Sequence, residues 1–185
     1  MENTHERFIP TMSGPYEIRV NIERYLKVMP HIEGKTVLEL GCGTGLGTYL
    51  YSLVAKKIYA LDYDAEAVTC TDSFPFDPRK VQIFQHDLRQ GVPHGSFDVV
   101  VAVEILEHLD DPGALLAKLE VPRLVFSLPL NSLAISTWHR YPIRKGESGM
   151  QDIRDLLGKH WTIEQMELQD QHWVFGVATR KGLER

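Results

Sequence analysis

The sequence predicts an α/β fold, a doubly wound and mostly parallel sheet with helices on both faces, closed at its C-terminal end by an antiparallel hairpin. Three observations predict it. Between Lys35 and Leu128 short apolar runs alternate with stretches of helical period, the pattern of strands joined by crossover helices. Glycines stand at alternate positions, Gly41, Gly43, Gly45 and Gly47, where the first apolar run gives way to a helical stretch. Near the C-terminus two strand-like runs follow one another with no helical stretch between them, which calls for antiparallel pairing.

Each element follows in order. Met1 to Pro15 reads as an irregular lead-in ending in the turn Ser13-Gly14-Pro15. Tyr16 to Met29 carries Ile18, Ile22, Tyr25, Leu26 and Met29 at helical period, and Pro30 and Gly34 are expected to end that helix. Lys35 to Leu40 is a nearly continuous apolar run, as a strand covered on both faces requires. Leu46 to Val54 is the next helix. Lys57 to Leu61 reads as a strand, Ala65 to Asp72 as a helix and Lys80 to Phe84 as a strand. Phe97 to Val103 is the most apolar strand of the chain. Pro112 to Leu119 is a short helix, with proline where a first helical turn tolerates it. Arg123 to Leu128 is a strand, joined to that helix by the short segment Glu120-Val121-Pro122. Ser148 to Leu157 reads as a helix. Trp161 to Leu168 and His172 to Thr179 are then the hairpin, with Asp170-Gln171 at its turn.

Composition narrows the function. Hydrophobic residues make up 43% and charged residues 24% of the 185, the balance of a globular chain with one sizeable core. No apolar run approaches the roughly 20 residues that span a bilayer. Met1 to Pro10 is polar and has no apolar segment of the secretory kind. Cys42 and Cys70 form neither a disulfide framework nor a metal-ligand spacing. A reduced, cytoplasmic setting without membrane partners is the expectation. The net charge of −5 counts against a broad nucleic-acid footprint, which needs clustered Lys and Arg.

The glycine cluster is the first functional feature. In an open α/β sheet, ligands bind at the carboxyl ends of the strands. Glycines there let the backbone turn tightly and approach a ligand that a Cβ would block. A dinucleotide fingerprint requires glycine at position 46, where this chain has Leu46, and a Walker loop requires Lys-Ser/Thr after its last glycine, which is missing. Glu39, just before the first glycine, would repel a pyrophosphate and accept bonds from an ammonium group. The expected ligand is therefore positively charged and carries no phosphate. Asp62 ends the second strand, 21 residues after Gly41, where a carboxylate can accept bonds from both ribose hydroxyls. Asp62 and Asp64 both precede a helix; the cap is assigned to Asp64 and the ribose to Asp62.

These segments carry a resemblance. "VLELGCGTG" (Val37 to Gly45), "YALDYDAEAV" (Tyr59 to Val68), "QHDL" (Gln85 to Leu88) and "FDVVVAVEILEHLDDP" (Phe97 to Pro112) keep the order and spacing of the class I S-adenosylmethionine-dependent methyltransferases over residues 35 to 128. The lead-in "ERFIP…GPYEIRVNIERYL" resembles a bacterial and phage branch found near surface-polysaccharide genes. The resemblance implies a Rossmann-like fold in a single domain over 1–185. Residues 1–34 would form an N-terminal lid or helix, 35–128 the cofactor-binding core, and 129–185 the substrate-side loop and hairpin. It implies S-adenosylmethionine as cofactor, lined by Glu39, Gly41, Cys42, Gly43, Gly45, Asp62, Tyr63, Asp87, Leu88 and Glu104. Tyr63 would lie against the adenine face, Asp87 would accept a bond from the adenine amino group, and Cys42 would serve as a small loop residue.

Glu104-Ile105-Leu106-Glu107-His108 is the second cluster. If helical, it places Glu104, Glu107 and His108 on one face at i, i+3 and i+4. An imidazole can take the proton that an acceptor hydroxyl must lose as it attacks a sulfonium methyl, so His108 is the candidate general base. The alternative is a divalent-metal site made by Glu104, Glu107 and His108. "E-x-x-E-H" resembles metal-binding small-RNA 2′-O-methyltransferases and ubiquinone-pathway O-methyltransferases, and the RNA enzymes would need a further ligand, for which His139 is the candidate. A solvated helix start with no role in chemistry is the third possibility. Trp138, His139, Arg140 and Tyr141 lie in a long loop, and Arg140, Arg144 and Lys145 form a basic stretch that can meet an anionic substrate. The expected activity is O-methylation of a small molecule or glycan, without metal. The alternatives are a metal-dependent RNA 2′-O-methyltransferase and a non-catalytic cofactor-binding module.

Overall fold

The computed structural model describes residues 13–130 and 140–183. The chain forms two compact units, residues 1–87 and 88–185.

The first unit holds α1 (Pro15–Ile32), β1 (Thr36–Leu40), α2 (Leu46–Ser52), β2 (Lys57–Asp62), α3 (Ala65–Asp72) and β3 (Val81–Gln85). Its strands are parallel in the order β3-β2-β1, with Leu40 level with Leu61 and Asp62 level with Gln85. Each strand is followed by a segment that leaves from its carboxyl end, so Gly41, Tyr63 and His86 all start connections on the same edge. Val37, Leu38, Leu40, Ile58, Ala60 and Leu61 are buried, as expected of strands covered on both faces. The helix α1 outruns its sequence expectation. It passes through Pro30 to Ile32, and Gly34, at φ +68°, turns the chain out. Proline costs a helix one N–H donor; Val28 and Ile32 are both fully buried and hold the last turn in place.

The second unit holds β4 (Val99–Val103), α4 (Pro112–Lys118), β5 (Arg123–Pro129), α5 (Gly146–Gly158), β6 (Trp161–Gln169) and β7 (Trp173–Arg180). The strands run β4-β5-β7-β6; β4 and β5 are parallel, and β7 is antiparallel to both β5 and β6. The hairpin expected from the sequence is therefore present. Asp170 and Gln171 at its turn both have positive φ, 47° and 58°, the backbone twist that tight hairpins favour. Asp111 caps α4 by accepting the Ala114 N–H at 2.9 Å, with Pro112 in the first turn. Val121, in the short connection before β5, is buried. With seven strands, mostly parallel and crossed over by helices, the fold class is the one the sequence predicts. Among the described residues no helix is long and apolar enough to cross a membrane.

Candidate functional site

The glycine loop leaves β1 on a row of left-handed residues: Gly41 at φ +71°, Gly43 at +55° and Gly45 at +87°. Side chains avoid that region. At Gly45 space forbids them as well, since a Cβ would come within 2.9 Å of Thr71 Cα. A Cβ on Gly43 would meet no described atom within 4 Å, so the loop opens at this residue to whatever approaches it. The loop is tied to β2 from below. The Gly41 and Cys42 N–H groups both donate to the Leu61 carbonyl, at 2.8 and 2.9 Å.

Asp62 stands at the end of β2 with both carboxylate oxygens engaged by backbone amides. Oδ2 accepts the Gly43 N–H at 2.8 Å and Oδ1 accepts the Asp64 N–H at 3.0 Å. Asp64 accepts the Glu66 and Ala67 N–H groups and caps α3, the role the sequence assigns to it. Tyr63, between them, is exposed. Asp87 is half-buried beyond β3, and Leu88 is buried at the start of a 3-10 turn.

Glu39 lies beneath the loop and is only 5% exposed. The Thr48 hydroxyl donates to its Oε2 at 2.8 Å. Burial pushes the Glu39 carboxyl up to about 8, against the opposing pull of that hydrogen bond. Its hydrogen-bond donor is thus a neutral hydroxyl and not a lysine or arginine. The ring of Tyr25 from α1 stands edge-on to Tyr51 at 6.0 Å. The buried Tyr51 hydroxyl makes no hydrogen bond among the described residues. Cys42 is buried too, and burial raises its thiol pKa far above the ordinary value, so it fills space as an inert group.

The second unit corrects one expectation. Glu104, Glu107 and His108 do not share a helix face. Glu104 is left-handed at φ +49°, and only Leu106–His108 form a 3-10 turn. The neighbouring strand imposes this: the Ser127 hydroxyl of β5 donates to Glu104 Oε1 at 2.8 Å, and the Glu104 N–H donates to the Ser127 carbonyl at 3.1 Å. Among the described residues no group of three His, Cys, Asp or Glu is placed to hold a metal. His139, the further ligand candidate, lies with Trp138 outside the described residues. Glu107 is buried, and its oxygen stands 3.7 Å from His108 Nε2, whose side chain is 20% exposed. The Glu107 carbonyl accepts the N–H groups of Arg140 and Tyr141 at 2.8 and 3.0 Å.

Both arginines of the basic stretch are paired with aspartates. Arg140 pairs with Asp110 at 3.0 Å and Arg144 with Asp152 at 2.6 Å. The latter pair raises the Arg144 pKa and lowers that of Asp152. Sequence reasoning missed Thr48 and Thr71. The one available sign was a hydroxyl on the first turn of the helix behind the loop for Thr48; nothing local marks Thr71.

The chain is similar to several known proteins. The family described as a methyltransferase domain matches residues 38–120. A probable S-adenosylmethionine-dependent methyltransferase of Mycobacterium tuberculosis is 37% identical over 111 residues, 58% of this chain and 39% of that protein. A ubiquinone biosynthesis O-methyltransferase of Rhodopseudomonas palustris is 28% identical over 102 residues, 52% of this chain and 38% of that protein. The chain thus spans about two fifths of the length of these curated relatives. The N-methyltransferase NodS from Bradyrhizobium japonicum, solved with S-adenosyl-L-homocysteine, superimposes with a TM-score of 0.69 at 18% identity, covering 92% of this chain and 90% of that one. At that identity the likeness is one of fold.

Proposed function

We propose that this chain, whose residues 38–120 match a methyltransferase domain family, is a class I S-adenosylmethionine-dependent methyltransferase that methylates a hydroxyl of a small molecule or glycan. The observation that carries the cofactor assignment is the buried Glu39 carboxyl, bonded to a neutral hydroxyl beneath a glycine loop whose open position is Gly43. A buried acid bonded only to a neutral hydroxyl suits a cationic ligand, whose charge would favour its ionised form. S-adenosylmethionine carries such a charge and supplies, when bound, an electrophilic sulfonium methyl.

The chain's own residues then divide the work. The loop at Gly41, Cys42, Gly43 and Gly45 admits the ligand against its backbone. Asp62, at the end of β2, accepts bonds from the ribose hydroxyls. Asp87 accepts a bond from the adenine amino group, and Tyr63 and Leu88 supply apolar surface to the base. Glu104, fixed by Ser127, lines the cofactor. His108 takes the proton of the acceptor hydroxyl as the oxygen attacks. The Glu107 carboxylate, 3.7 Å from Nε2, stabilises the imidazolium that results. The O-methyltransferase relatives support an oxygen acceptor.

Calorimetry with S-adenosylhomocysteine and with NAD tests the cofactor, and binding of NAD alone would overturn the assignment. Methyl transfer from S-adenosylmethionine to a panel of hydroxylated small molecules and glycans tests the reaction. The His108→Ala enzyme should bind S-adenosylhomocysteine normally and turn over about 10²–10⁴-fold more slowly, the usual contribution of a general base. Full turnover in that variant would remove His108 from the chemistry.

A further inference from the structure

Gly43 is gripped from two directions. Its N–H donates to Asp62 Oδ2 at 2.8 Å, and its carbonyl accepts the hydroxyl of Thr71 at 2.9 Å. Thr71 sits in the last turn of α3 and is fully buried, although its neighbours Cys70 and Asp72 are exposed. A helical threonine commonly turns its hydroxyl back to the carbonyl four residues earlier. Thr69, one turn-face away, does so, donating to the Ala65 carbonyl at 2.8 Å. Thr71 reaches across to the loop instead. It also meets the loop at two further points: Cys42 Sγ lies 3.7 Å from its Oγ1, and its Cα, Cγ2 and Oγ1 each stand 2.9 Å from where a Cβ on Gly45 would be. Three loop residues, Cys42, Gly43 and Gly45, therefore converge on this one side chain.

From this geometry we infer that Thr71 is a positioning residue for the cofactor, holding the Gly43 peptide so that the loop is already set when the ligand arrives; the inference rests on the methyltransferase reading above. The left-handed backbone at Gly43 and Gly45 is one of several conformations glycine can take. A loop free to leave it would have to be ordered on binding, and that ordering costs affinity. With Asp62 fixing the N–H and Thr71 fixing the carbonyl, the ordering is done in the folded free protein. Thr71 is fully buried behind the loop, so its effect is expected on cofactor binding and not on the transfer step.

Thr71→Val keeps the branched shape and removes the donor; Thr71→Ser keeps the donor and removes the methyl. In the valine variant the dissociation constant for S-adenosylhomocysteine and the KM for S-adenosylmethionine should rise together by about 5- to 30-fold, the effect of losing one hydrogen bond and leaving its carbonyl unpaired. Its kcat at saturating cofactor should stay within about twofold of the parent, and the serine variant should bind within about threefold. In the ligand-free valine variant the amides of residues 41–46 should exchange with solvent faster than in the parent. A purely structural role would lower thermal stability without the selective rise in KM and without rescue by serine. A folded valine variant with parental affinity, or with parental loop exchange, or with the loss confined to kcat, overturns the inference. If the valine variant does not fold, Thr71→Ala removes the same donor and is read in the same way. Failure of the underlying reading shows differently: the parent protein itself then binds no S-adenosylhomocysteine, which removes the cofactor role of Thr71 with it.

Discussion

At Glu39 a single carboxyl sets burial against charge, and the consequence is measurable. Its pKa is raised from 4.5 to about 8, chiefly by desolvation. The folded chain therefore holds this proton more tightly than the unfolded chain does. The stability that this supplies is complete below the unfolded value of 4.5 and is lost as pH rises through about 8. Glu39→Gln keeps a neutral group of similar shape beside Thr48. From about pH 6 to about pH 9 the melting temperature of the ligand-free parent should fall more steeply than that of the variant, which should be the more stable of the two at the upper end. Parallel melting curves across that window would show that Glu39 does not titrate there. The neighbouring Cys42 needs no such test, because its raised thiol pKa keeps it protonated throughout.

Elements meet where single residues allow them to. On β7, Gly176 lies level with Phe126 of β5, and a Cβ on Gly176 would come 2.2 Å from the Phe126 ring. That ring is fully buried and has nowhere to retreat. Gly176→Ala should therefore destabilise the protein by about 1–3 kcal/mol, the range for overpacking a well-filled core, as read by urea unfolding. An unchanged midpoint would mean that the β5–β7 contact is looser than the geometry indicates. The helix α1 shows the converse case. Its proline weakens the last turn, yet the buried pair Val28 and Ile32 carries the helix two residues further. Helix α3 needs no such rescue: its bounds, Ala65–Asp72, agree with the sequence expectation, because Asp64 caps it locally.

For the whole molecule, a ligand that binds only the folded state must raise its stability by mass action. S-adenosylhomocysteine at about 100 times its dissociation constant should add about 2.7 kcal/mol and raise the melting temperature by roughly 5–10 °C. NAD at the same concentration should leave it unchanged, and a shift with NAD alone would place the chain among a different class of nucleotide binders. What the sequence determined by itself is whatever rests on local stereochemistry and periodicity. Apolar or strand-like runs marked the seven strands of the described residues, alternate glycines marked the loop, and position assigned the α3 cap to Asp64. A hairpin at Asp170-Gln171 followed from two strands without a helix between them. Tertiary structure decided the contacts that join residues far apart in the chain. Thr71 meets Gly43 28 residues away, Arg140 meets Asp110 30 residues away, and Ser127 meets Glu104 23 residues away and draws it out of the helix that its spacing suggested. Periodicity is silent on such pairs. The hydroxyl of Thr71 and the carboxylate of Glu104 have several local partners open to them, and only the packing of α3 on the loop and of β5 beside β4 selects the distant one.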